Sequence, residues 1–146
     1  MFSTKKLFLM VLLFVSFLSS ITYSQEIGQI FDSKEADELF GPVLEKMSIN
    51  ADELRAILSS TDNKIMFRLE NNSYTILGDN RKLLYCTDNF IDSNQVFHLY
   101  SKSKVLELLN KGSEQTVILE NRRNVFSITV GNYTLEKGAP CPPNCG

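Results

Sequence analysis

Two cysteines four residues apart stand at the end of the chain, in Cys141-Pro142-Pro143-Asn144-Cys145-Gly146. In an oxidising compartment that spacing predicts a bridge. The prolines oppose it, because a polyproline path holds the two α-carbons about 12 Å apart, whereas a disulfide needs them within about 7 Å. The loop must therefore turn, and Asn144 is the residue suited to supply the turn. Closing so short a loop stabilises by about 2 kcal/mol on chain entropy, against about 4 kcal/mol for the long loop of Cys86–Cys141. Cys141–Cys145 is nonetheless the expected pair, since its partners are never far apart. Cys86 lies in an apolar stretch where a thiol behaves as a small hydrophobe. The competing pairs join Cys86 to Cys141 or to Cys145. Three cysteines leave an odd thiol, which raises a covalent dimer or a reactive site.

Metal and catalytic chemistry have few other resources here. Cys86, His98, Cys141 and Cys145 make a Cys3His set by type, but their spacing follows none of the recurrent zinc patterns. A thioredoxin-type centre wants two intervening residues and a helix N-terminus, and the tail has three and no helical signal. His98 is the single histidine and shares a strand side with Val96 and Tyr100, which reads as a partly buried core histidine. No nucleophile elbow, dinucleotide fingerprint or phosphate loop is present. A carboxylate-dependent hydrolase stays open as an alternative, because any two of the 17 acids could meet across a cleft. No cofactor is implied.

The elements that must position these residues begin after a targeting segment. Lys5 and Lys6 precede the apolar run Leu7–Leu18, with small residues at Thr22 and Ser24. This is the pattern of a secretory signal peptide cut between Ser24 and Gln25. An uncleaved anchor would need about 20 apolar residues. Cleavage removes two lysines and no acid, taking the net charge from −2 to −4. A mildly acidic chain of this size predicts one domain and no attraction to nucleic acid or anionic membrane. The short basic clusters Ser101–Lys104 and Arg122-Arg123 read as a solvated helix start and a solvated hairpin tip.

Residues 25–34 show little pattern and are expected to form a flexible leader, with the domain spanning 35–137 and a Pro/Cys tail spanning 138–146. Asp32 caps a first short helix, which Gly41-Pro42 ends before a strand over 43–49. Asn50 caps a second helix to about Ser60. Alternation then predicts strands at 64–70, 73–78 and 83–86, turning at Asn71-Asn72 and at Gly78-Asp79-Asn80. A further strand over 96–100 leads to a helix capped by Ser103 and ending at Gly112. Strands at 116–120, 125–130 and 132–136 follow. The tail, with its prolines, cannot be a central strand. The fold class is α+β: one small domain, an antiparallel meander and hairpin sheet, and two or three short helices on one face.

A helix followed by a hairpin occurs twice, over 50–80 and 103–132. Leu69-Glu70-Asn71 aligns with Leu119-Glu120-Asn121, Ile76 with Ile128 and Asn80 with Asn132, given two extra residues in the second turn. The functional expectation is an extracytoplasmic, non-enzymatic module binding a protein or surface ligand. The alternatives are a thiol or metal protein and a small hydrolase. Intact mass of the secreted protein after alkylation without reduction is expected to show a chain starting at Gln25 with one blocked thiol. Three blocked thiols would contradict the internal bridge, and a doubled mass would place the odd thiol in a covalent dimer.

Overall fold

A computed structural model describes residues 25–89, 95–123 and 125–145. The expected signal segment 1–24 lies outside the described residues, as does Ser24 of the expected cleavage point. Ten strands and three helices follow in the order β1 (Gln29–Asp32), α1 (Ser33–Phe40), β2 (Val43–Asn50), α2 (Ala51–Leu58), β3 (Lys64–Glu70), β4 (Ser73–Leu77), β5 (Leu83–Cys86), β6 (Phe97–Ser101), α3 (Lys102–Gly112), β7 (Thr116–Arg122), β8 (Phe126–Val130), β9 (Tyr133–Glu136) and β10 (Ala139–Cys141). The α+β class and the antiparallel meanders stand as expected. The strands build two sheets of five, ordered β1-β9-β8-β7-β2 and β10-β6-β3-β4-β5.

Local rules place the helices. Each one starts where a strand ends, and the last strand residue is its N-cap: Asp32, Asn50 and Ser101. Asp32 and Asn50 cap through their side chains. Ser101, rather than the expected Ser103, begins α3, and its hydroxyl instead accepts from the Ile27 amide at 2.8 Å. The first amide of each helix also docks onto the residue just before a strand. Ser33 donates to Asn132 O, Ala51 to Gln115 O and Lys102 to Asn63 O, all within 2.9 Å. These bonds satisfy donors that no helix can satisfy internally.

The same corners explain how the sheets assemble. Residues 43–86 run β2-α2-β3-β4-β5, and residues 97–136 run β6-α3-β7-β8-β9. In each unit the first strand leaves its own meander and pairs with the other's, β2 with β7 and β6 with β3. The repeat is therefore a repeat of topology, with first strands exchanged. Pairing fixes its register. Phe67 faces Ile76 as Leu119 faces Ile128, so Leu119 corresponds to Phe67 and not to Leu69. The expected alignment of Leu69 with Leu119 is out by two residues, a slip that keeps every side chain on its own face and is invisible to alternation. Both hairpins close on two intervening residues, with Arg122 N donating to Val125 O, so the second turn holds no insertion.

The inner faces of the two sheets share one core with α2 and α3, including Leu54, Leu58, Phe67, Tyr100, Leu108, Phe126 and Leu135. Helix α1 is placed differently. Four antiparallel pairings separate β1 from β2, so the two strands run parallel at opposite edges of their sheet. At about 4.8 Å per strand, β1–α1–β2 must cross roughly 19 Å of the sheet's outer face. It is a strap over that face, not a third helix on a common side. Gly41 at φ +80° ends α1, with its amide bonded to Asp37 O at 3.1 Å, a conformation that favours glycine.

Both ends of the chain differ from expectation. Residues 29–32 pair with β9, and Ile27 donates its amide to Ser101 Oγ and accepts from the Ser101 amide, so most of the expected leader belongs to the fold. The tail is also part of it. Ala139–Cys141 form an edge strand on β6, and Cys141 is fully buried with Met66, Leu77, Phe97 and Leu99 on the second sheet's outer face. Backbone pairing and apolar burial both outweigh what the sparse patterning at these ends suggested.

Candidate functional site

The strap covers a polar cluster. On β7, β8 and β9 the outward positions carry Glu120, Arg122, Ser127, Thr129, Thr134 and Glu136, all buried. Arg122 stands at their centre with its side chain 2 % exposed. Its guanidinium donates to Asp37 Oδ1 at 2.8 Å and to Gly41 O, both on the strap. It also donates to Ser127 Oγ at 3.1 Å and to Glu120 Oε2 at 3.3 Å, and Glu136 Oε1 lies 3.5 Å away. Glu120 accepts a second bond from Thr129 at 3.0 Å. Thr129 in turn meets Thr134 at 2.9 Å, and Thr134 meets Ser33 of α1 at 3.1 Å. Burial opposes the charge on Arg122, and Asp37, Glu120 and Glu136 outweigh it.

Glu136 is the odd member. It is fully buried, Ser127 donates to its Oε1, and its Oε2 has no partner. Burial pushes its carboxyl up to about 7, aided by the charges of Glu120 and Asp37, while Ser127 and Arg122 pull the other way. A carboxyl whose pKa burial raises toward neutrality, beside a guanidinium that also faces Asp37 and Glu120, has the character of a general acid or base. The geometry closes it: neither Glu136 nor Arg122 reaches solvent beneath α1.

Arg122 is also the main correction to the sequence reading. The hairpin runs two residues further than alternation indicated, so Arg122 ends β7 instead of sitting at a solvated tip. No signal in the sequence distinguishes it from Arg123, because its burial depends on where the strap crosses. A second missed residue is Asp79. Its carboxylate accepts from Thr61 Oγ1 and from the amides of Asp62, Asn63 and Lys64 at 2.7–3.1 Å, tying the α2–β3 loop to the β4–β5 turn. Burial works against its ionisation, and those bonds more than compensate, holding its carboxyl below the usual range.

The cysteines are placed plainly. Cys141 and Cys145 form the disulfide, with α-carbons 4.7 Å apart. Both proline peptide bonds of the loop are cis, and Asn144 contributes its backbone N–H to Pro140 O at 3.1 Å. Cys86 is free on β5, with Thr75 Oγ1 3.2 Å from its sulfur. β5 and β10 are opposite edges of their sheet, about 19 Å apart by strand spacing, so Cys86 pairs with neither tail cysteine. His98 lies opposite Phe67 and stacks on Phe126 at 5.2 Å, while Cys141 belongs to the apolar cluster on the sheet's other side. The Cys86, His98, Cys141 and Cys145 set is therefore not brought together. Burial lowers the pKa of His98, as for a core histidine. Among the described residues no group of three His, Cys, Asp or Glu is arranged to hold a metal, and no helix is long and apolar enough to cross a membrane.

One surface stands out. Leu39 and Leu44 are 58 % and 67 % exposed, on either side of Gly41-Pro42. Leu44 is the extra residue of a β-bulge: Val43 pairs with Arg122 and Glu45 with Asn121, leaving Leu44 unpaired. Bulges re-aim side chains at sheet rims. Beside it, Lys46, Met47, Ser48, Asn72, Thr116 and Ile118 line a shallow concavity. Comparison of the chain with protein-family models, curated proteins and solved structures finds no match.

The pH dependence of stability tests the cluster. The folded chain keeps a proton on Glu136 that the unfolded chain releases, so this contribution is full below pH 4.5 and lost as pH rises to about 7. Between those limits the wild type is expected to lose up to about 3 kcal/mol relative to Glu136→Gln in urea unfolding. Parallel curves for the two proteins would contradict the assignment.

Proposed function

We propose that the protein is an extracytoplasmic, non-enzymatic binding module for a protein or surface ligand. The observation that carries this reading is the exposure of Leu39 and Leu44 on either side of Gly41-Pro42, where a bulge presents an otherwise unpaired leucine to solvent. Exposed apolar anchors near a shallow concavity lined in part by Met47 and Ile118 suit a partner that buries a small hydrophobic centre. The export signal in residues 1–24 and the Cys141–Cys145 bridge support an oxidising location. The burial of Glu136 and Arg122 away from solvent favours binding over hydrolysis.

The partner engages these leucines rather than adding a strand. Each sheet edge is blunted against strand addition. β1 and β5 have four residues each, β10 has three with Pro140 among them, and β2 carries the bulge and Lys46. In a binding screen of the mature protein against a secreted-protein library, a partner is expected for the wild type. Leu39→Ser with Leu44→Ser should weaken it about 10- to 100-fold, the worth of one or two anchoring leucines, at unchanged circular dichroism. A screen with no partner above background, or full binding by the double variant, would overturn the reading.

A further inference from the structure

Helix α1 is held on the sheet by polar groups more than by apolar packing. Ala36 is its buried residue, and Phe40 meets Phe31 edge-on at 5.4 Å. Its other ties are Asp37 and Gly41 O to Arg122, Ser33 Oγ to Thr134, and Ser33 N to Asn132 O. Beside Arg122, on the same sheet face, lies a fully buried carboxyl with one oxygen unpartnered, that of Glu136. We propose that the β1–α1–β2 strap is a pH-sensitive cover, seated while Glu136 keeps its proton and lifted when that proton is lost.

Charge matching makes the device work. With Glu136 protonated, Arg122 is shared between Glu120 on the sheet and Asp37 on the strap. With Glu136 ionised, the sheet itself supplies two carboxylates to the one guanidinium, and Asp37 becomes the surplus charge facing both. The unpartnered Oε2 then demands water, which the lifting of α1 would admit. The other neighbours do not absorb the change. β8 offers neutral Ser127, and β1 offers neutral Gln29 opposite Glu136 in the register. From β6, Tyr100 has its hydroxyl bonded to Phe126 O at 2.5 Å, and its own ionisation is suppressed by burial and by Glu136. Lys137, the next residue along, is turned to Gln29 and to the Phe31 ring.

Hydrogen exchange of the full chain, corrected for the intrinsic pH dependence of amide exchange, reads the strap directly. Protection over residues 34–41 is expected to fall about tenfold or more from about pH 5.5 to about pH 8.5, while β7 and β8 stay protected. Glu136→Gln should keep α1 protected at both values. Should that variant not fold, Asp37→Asn should lower α1 protection at the acidic value toward the alkaline one. Unchanged α1 protection in the wild type, or wild-type pH dependence in either variant, would overturn the proposal.

Discussion

The outer face of the first sheet depends on one buried guanidinium. Arg122 receives Asp37 and Gly41 from the strap and Glu120, Ser127 and Glu136 from the sheet, so it is the post on which β1–α1–β2 is tied down. A buried charge is tolerated only when paired and hydrogen-bonded, and this one meets that condition at the expense of a second group. Three carboxylates surround one positive charge, and the surplus falls on Glu136, whose carboxyl pKa burial pushes up to about 7. The burial of Arg122 and the raised pKa of Glu136 are thus two aspects of one constraint.

That constraint follows from the chain path. β1 and β2 are parallel edges of a sheet whose adjacent strands all run antiparallel, and they need a crossover between them. β2 itself lies where it does because the two helix–hairpin units exchange their first strands. Each exchanged corner is secured by a helix-starting amide bonded to the residue ahead of the partner meander, Ala51 to Gln115 and Lys102 to Asn63. The inner faces then form one shared core, while the outer faces are finished separately. The strap completes one, and the disulfide-closed tail completes the other, with Arg81 reaching Cys141 O and lying 5.1 Å over the Phe97 ring.

Local physics was legible in the sequence. Asp32 and Asn50 announce caps, Gly41-Pro42 announces a stop, and alternation marks β3 and β5 to the residue. The Cys141–Cys145 bridge was also legible, since proximity along the chain decides it. What escaped depends on non-local pairing. One sheet was expected where there are two, because alternation gives the face of a strand but not its neighbour. Gln29–Asp32 is too short and mixed to read as a strand before β9 is in place. Arg122 and Glu136 look like ordinary outward polar residues, and only the strap turns outward into buried. Leu39 and Leu44 are apolar in sequence, yet both are left exposed on either side of Gly41-Pro42, Leu44 at the bulge.

The pieces meet at the strap. Its helix carries Leu39, its far end carries the bulged Leu44, and its underside is tied to Arg122 beside the buried Glu136. Everything turns on whether α1 excludes water from Glu136. The most direct measurement is the side-chain carboxyl titration of Glu136 by carbon-13 NMR in the intact chain. A midpoint near 7 is the result the sealed cluster predicts. A midpoint at the ordinary glutamate value of about 4.3 would mean a solvated carboxylate, and would contradict the account of the strap.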